Sequence, residues 1–174
     1  MRKFILQGLR SRPLTEAAPA PSDSAIEELG RALQKRLRRR LRRRHAIRAV
    51  DAGSCNACEL EIHALANAFY DLERLGLRFV ASPRHADVLM VTGPVTRNMA
   101  EALQRTYAAA PEPKWVVAVG ACARDGGCFK DSYAVCGGVS AVIPVDLHIA
   151  GCPPTPTALL EGLIALVDMP AQTR

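Results

Sequence analysis

Aromatic side chains are scarce in this sequence, at 5% of 174 residues. A core assembled from it has to be aliphatic, drawn from Val, Leu, Ile and Ala. Long apolar runs are missing too. The most hydrophobic stretches, Trp115–Val119 and Ala158–Met169, are short, and the second carries Glu161 and Asp168. A spanning helix needs about 20 mostly apolar residues, so the sequence predicts no transmembrane segment. The opening Met1-Arg2-Lys3-Phe4-Ile5-Leu6-Gln7 lacks the stretch of about 7–15 apolar residues that a secretory signal places behind its charges. The arginine runs Arg38–Arg40 and Arg42–Arg44 lead into His-Ala-Ile-Arg-Ala-Val-Asp, too short and too charged for a twin-arginine export signal. The expectation is a chain on the reducing, cytoplasmic side of the membrane. There, six cysteines point to metal or redox chemistry before disulfides.

Hydrophobic residues make up 49% of the chain, enough to close a core. Charge is distributed unevenly. Residues 1–48 carry 14 basic and 4 acidic side chains, a balance of +10, whereas residues 49–174 carry 9 and 13, a balance of −4. This predicts an N-terminal extension over residues 1–45 attached to a mildly acidic domain over 46–174. Within the extension, Ser24-Ala-Ile-Glu27 has the spacing of a capping box. Ile26, Leu29, Leu33, Leu37 and Leu41 then recur at helical intervals among Lys35, Arg36, Arg38–Arg40 and Arg42–Arg44. A basic amphipathic helix of this kind suits an anionic membrane surface or a partner's groove. The plainer reading is a solvated basic tail. No aromatic residue interleaves with the arginines, so a nucleic acid is not the expected partner.

The body alternates strand and helix. Ile47–Asp51 reads as a strand and Ala57–Arg74 as a helix with Ile62, Leu65, Phe69 and Leu72 on one face, stopped by Gly76. Strands follow at Leu77–Ala81 and Asp87–Val91, a helix at Arg97–Ala109 before Pro111 and Pro113, and a strand at Trp115–Val119. After an irregular Gly-rich stretch, a fifth strand is expected near Ala141–Ile149, interrupted by Pro144. Thr155–Val167 closes the pattern as a helix. Continuous apolar strands between helices predict an α/β fold: an open parallel sheet with helices on both faces, a flavodoxin-like three-layer arrangement.

Cysteine placement follows from that pattern. Cys55 and Cys58 lie between the first strand and its helix, Cys122 just after the fourth strand, and Cys152 between the last strand and the last helix. In an open parallel sheet the carboxyl ends of the strands share one edge, where ligand sites collect. Four thiols separated by gaps of 63 and 29 residues are therefore expected to converge. Gly53, Gly120 and Gly151 precede the three segments and permit tight turns. Helix N-termini after Cys58 and Cys152 favour thiolate. Four thiolates hold zinc or an iron–sulfur cluster, and one Cys-x-x-Cys opening a helix is also a dithiol redox signature. Residue types alone leave all three open.

The runs Gly53-Ser54-Cys55-Asn56-Ala57-Cys58-Glu59-Leu60-Glu61, Gly93-Pro94-Val95-Thr96, Gly120-Ala121-Cys122-Ala123 with Gly126-Gly127, and Gly151-Cys152-Pro153-Pro154-Thr155-Pro156 narrow the choice. In this order they resemble the small subunit of membrane-bound, energy-converting nickel–iron hydrogenases of the formate hydrogenlyase type, and the related B subunit of respiratory complex I. The resemblance covers about residues 46–168. Complex I B subunits carry adjacent cysteines at the first site, whereas two residues separate Cys55 from Cys58, as in the hydrogenase subunits. The resemblance implies one 4Fe–4S cluster on Cys55, Cys58, Cys122 and Cys152, serving a large nickel–iron catalytic subunit. It also implies a ferredoxin-like subunit, membrane subunits, and a peripheral place on the cytoplasmic face of the cell membrane. The equivalent subunit of a quinone-reducing, complex I-like machine is the alternative. Cys128 and Cys136 match no ligand position and are expected to be small buried hydrophobes. His63, His148, Arg84 and Arg97 read first as ordinary structural or surface residues. Glu59 and Glu61 read as acids at a helix start.

Overall fold

The computed structural model describes residues 24–41 and 45–169. A first helix, α1 (Ser24–Leu41), precedes strand β1 (His45–Asp51). Helix α2 (Ala57–Ala64), strand β2 (Leu77–Phe79), strand β3 (Val88–Thr92) and helix α3 (Arg97–Ala109) follow. Strand β4 (Trp115–Val119), the short helix α4 (Gly120–Asp125), strand β5 (Leu147–Ile149) and helix α5 (Pro156–Asp168) complete the order. The five strands form one sheet in the order β2-β1-β3-β4-β5, with every neighbouring pair parallel. This is the expected three-layer α/β arrangement. Its direction of winding reverses between β1 and β3, where folds of this order bind their ligands.

The central strands β3 and β4 are buried throughout because both faces of the sheet are covered there. Successive side chains point to opposite faces, and β3 and β4 each serve two cores. Val88 and Met90 of β3, with Trp115, Val117 and Val119 of β4, pack among residues of α1, α2 and α5. Leu89 and Val91, with Val116 and Ala118, pack against Leu103 of α3 and Ala123 of α4. Helix α5 buries Leu159, Leu160, Leu163, Ile164, Leu166 and Val167. Its start is set by Thr155, whose Oγ1 accepts from the Ala158 N–H at 3.2 Å, with Pro156 in the first turn.

The extension's helix packs onto the body. Leu33 is fully buried and Leu29 packs beside it, while Gly30 lies against Leu75. At these positions the apolar stripe is covered by α5 and the turn Leu72–Leu75. The side chains of Ser24, Ile26, Leu37 and Leu41, and hence the capping box and the ends of the stripe, lie outside the described residues, as do residues 1–23 and 42–44.

Several boundaries differ from expectation. The helix expected over Ala57–Arg74 ends at Ala64. The Asn67 side chain accepts from the backbone N–H groups of Phe69 and Tyr70 at 2.9 and 3.0 Å, a local turn that competes with helix. Asp71 adopts φ 43, and the chain returns to let the Leu72 N–H donate to the Leu65 carbonyl at 3.0 Å. Leu65 and Leu72 are thus buried while Phe69 is 58% exposed. Strand β2 stops at Phe79 instead of Ala81. Strand β3 starts at Val88 because Asp87 turns its carboxylate to the Ala46 N–H. The fifth strand is confined to Leu147–Ile149; Val139–Ala141 form a single 3₁₀ turn instead. The stretch after β4, expected to be irregular, contains α4.

Candidate metal centre

Three loops at the carboxyl edge of the sheet carry the cysteines. In the first, the Asp51 Oδ1 accepts from the Gly53 and Ser54 N–H groups, both at 2.8 Å. The loop is further tied to β3, with the Ala52 N–H on the Thr92 carbonyl at 3.0 Å, and to Thr96, whose N–H donates to the Ala52 carbonyl at 2.9 Å. Asn56 takes a left-handed conformation, φ 71, and its carbonyl accepts from the Leu60 N–H to begin α2. Cys55 faces solvent and Cys58 is buried.

Cys122 sits within α4, directly after β4, and Cys152 in the loop between β5 and α5. The Ala121 N–H donates to the Gly151 carbonyl at 2.8 Å, fastening these two segments together. Cys122 is buried and Cys152 exposed. Gly53, Gly120 and Gly151 all hold positive φ, at 94, 88 and 142, as tight turns before the cysteines require. At Gly120 there is a second reason for glycine. A Cβ there would stand 2.7 Å from the Cys58 Sγ, so the first cysteine loop approaches the β4 loop over a bare backbone. Gly127 plays the same part on the other side, where a Cβ would meet the Cys122 Sγ at 2.9 Å.

All four thiols interact through space. Burial pushes the Cys58 thiol from its ordinary 9.0 up to about 11, and the nearby charges of Glu59, Cys55, Cys122 and Cys152 push in the same direction. Burial likewise raises Cys122, followed by the effects of Cys128, Cys152 and Cys55. At Cys58 the cost of burial outweighs the thiolate preference expected of a helix N-terminus. Filling such a site therefore removes protons as well as water.

Among the described residues, no three His, Cys, Asp or Glu side chains are arranged to hold a single metal ion. A tetrahedral zinc requires four donors on one centre at about 2.0–2.3 Å. A cubane cluster presents four separate irons, one to each thiolate. The Cys58 sulfur on the bare backbone of Gly120, with Cys55, Cys122 and Cys152 near enough to raise its thiol, would suit a group of the second kind.

The remaining expected residues fall elsewhere. His63, His148 and Arg84 are exposed. Arg97 is exposed as well, and its Nε donates to the Tyr133 carbonyl at 2.7 Å, pinning the loop that follows α4. Cys128 and Cys136 are exposed instead of buried, because the loop that carries them lies over the edge of the sheet. Residue types gave no sign of two further features. Both carboxylate oxygens of Glu59 and the Nε of Arg48 are buried without a hydrogen-bond partner. They line adjoining cavities of about 170 and 380 Å³ that share Ala49, Ile62 and His63. The closeness of Cys128 to Cys122, enough to raise the Cys122 thiol, is the other. The loop's six-residue offset from Cys122 was its only trace in sequence.

Known proteins are similar to this chain. Formate hydrogenlyase subunit 7 of Escherichia coli (strain K12) is 43% identical over 144 residues, 83% of this chain and 55% of that protein. The chain thus spans about half the length of that relative. The probable membrane-bound hydrogenase subunit mbhJ of Pyrococcus furiosus is 44% identical over 119 residues, 68% of this chain and 71% of the relative. A chain in the structure of the membrane-bound sulfane sulfur reductase, an archaeal respiratory membrane complex, superposes with a TM-score of 0.66 at 36% identity. That match covers 79% of this chain and 75% of the other. The model of the NADH ubiquinone oxidoreductase 20 Kd subunit family matches residues 55–166, from the first of the four cysteines to the last helix, and the chain belongs to that family.

Proposed function

We propose that this chain is the electron-relaying subunit of a membrane-associated, hydrogenase-like oxidoreductase complex. It holds one 4Fe–4S cluster through Cys55, Cys58, Cys122 and Cys152 and exchanges electrons with a nickel–iron large subunit. The observation that supports this reading is the Cys58 sulfur seated on the bare backbone of Gly120, with Cys55, Cys122 and Cys152 near enough to raise its thiol. Bound there, the cluster supplies one-electron transfer. The chain supplies the rest. Cys58 and Cys122 hold the buried side of the site and Cys55 and Cys152 its open side. The Asp51 carboxylate keeps the first loop in shape. Bond-making chemistry belongs to the partner.

Membership of the family and likeness to subunits of a formate hydrogenlyase and of a membrane-bound hydrogenase support a place in a multi-subunit membrane complex, where the proposed partners are a large catalytic subunit, a ferredoxin-like subunit and membrane subunits. No helix among the described residues is long and apolar enough to cross a membrane. Peripheral attachment at the cytoplasmic face, aided by the basic segment 24–45, accounts for both facts. The domain carrying the cluster is residues 46–174, and 1–45 is its extension. The equivalent subunit of a quinone-reducing complex is the second reading, and the family description favours it. The spacing of Cys55 and Cys58 favours the first.

Cys152→Ala tests the assignment, since its sulfur has no neighbouring thiol in its own loop. In the natively purified complex the variant is expected to lose the cluster's iron, sulfide and visible absorption. Full iron and sulfide in Cys152→Ala would remove the ligand set. Nickel in the same preparation separates the hydrogenase reading from the quinone-reducing one.

A further inference from the structure

The loop after α4 places a fifth thiol at the Cys122 corner of the site. Helix α4 ends where the Gly126 N–H donates to the Cys122 carbonyl at 2.8 Å. The Asp125 Oδ1 then accepts from the Gly127 N–H at 3.0 Å, and the Phe129 N–H donates to the Gly126 carbonyl at 2.9 Å. These bonds wind Gly127–Phe129 into a 3₁₀ turn stacked on Cys122. Gly127 has no side chain to hold the two apart: its backbone lies so close that a Cβ would meet the Cys122 Sγ at 2.9 Å and its N at 3.0 Å. Cys128, the next residue, stands near enough to push the Cys122 thiol upward. The far end of the loop is anchored as well, by the Cys136 N–H on the Val95 carbonyl at 2.8 Å and by Arg97 on Tyr133. The fifth thiol is therefore held in place, with one sulfur buried and the other facing solvent.

We propose that Cys128 is a reserve iron ligand, able to take the place of Cys122 at the same corner of the cluster. The inference rests on the four-cysteine reading above. The exchange is a ligand substitution with no change of oxidation state. The iron–sulfur bond to Cys122 breaks, the bond from the same iron to Cys128 forms, and the Cys128 S–H proton passes to the departing Cys122 sulfur. Charge and electrons balance within the pair, and no outside reagent is consumed.

The full chain, reconstituted anaerobically with iron and sulfide, tests this with Cys122→Ala, Cys128→Ala, the double variant and Cys152→Ala. Alanine has no atom that binds iron. Cys122→Ala is expected to keep most of the wild-type iron and sulfide, with an altered electron paramagnetic resonance spectrum on reduction. The double variant is expected to fall to the level of Cys152→Ala. Iodoacetamide followed by mass spectrometry should label Cys128 in the loaded wild type and spare it in loaded Cys122→Ala. If Cys122→Ala is as poor in iron as the double variant while the wild type loads fully, the reserve ligand is overturned and the four-cysteine site stands. If Cys152→Ala keeps full iron, both fall. Should Cys122→Ala misfold by circular dichroism, cluster lifetime under ferricyanide decides. Several-fold faster bleaching in Cys128→Ala than in wild type supports the proposal, and equal lifetimes overturn it.

Discussion

Gly120 carries two constraints at one residue, a φ of 88 and a Cys58 sulfur 2.7 Å from where a Cβ would be. Gly120→Ala is expected to cost about 1–3 kcal/mol from backbone strain. It should also displace Cys58 from the site, lowering iron content in the purified chain by more than the stability loss explains. Urea denaturation and iron analysis measure the two effects separately. Cys58 also predicts a pH dependence for the metal-free chain. Its thiol titrates near about 11 in the folded state against 9.0 in the unfolded, so the folded chain binds that proton more tightly. The resulting stability is fully present below about pH 9 and is lost as pH rises toward 11. Denaturant midpoints of the metal-free chain should fall over that window, and the fall should be smaller in Cys58→Ala. At this scale the sequence named the four cysteines and the glycines before them. The orphaned carboxylate of Glu59 and the pairing of Cys128 with Cys122 were not legible, because both depend on which backbone comes to lie beside them.

Helix α1 has the composition of a membrane-surface helix, yet Leu29 and Leu33 are packed into the body's own core. Leu33 is fully buried, so Leu33→Ala is expected to cost about 2–5 kcal/mol, read as a drop in thermal or urea stability of the full chain. An unchanged midpoint would show α1 to be detached. Long elements with one consistent period were legible in the sequence: α3 and β4 lie within the expected bounds. The helix expected through Arg74 was not. Its apolar spacing continues past Ala64, but Asn67 supplies a side-chain acceptor to two backbone N–H groups, and a local turn wins over periodicity. The short α4 was missed for the opposite reason, since six residues bounded by glycine leave no period to read.

The whole molecule pairs a basic segment, residues 1–48, of net charge +10 with a remainder, residues 49–174, of −4. Because part of the apolar stripe is already covered, attachment of the extension to an anionic surface would rest on charge, at about 1 kcal/mol per basic residue near the lipid. The chain is expected to sediment with phosphatidylserine-containing vesicles at low salt, to be released by salt, and to ignore neutral vesicles. Binding to neutral vesicles, or binding indifferent to salt, would contradict that attachment. By itself the sequence determined the fold class and the family. Apolar strands alternating with helices leave few arrangements other than a doubly covered parallel sheet, and cysteines at strand ends must then share an edge. Only the tertiary structure decided the strand order, and with it the winding reversal between β1 and β3. It also decided how closely the cysteine loops approach, which α1 residues are spent on the core, and which thiols are buried. Those outcomes depend on contacts between segments tens of residues apart, and no local pattern of residues encodes them.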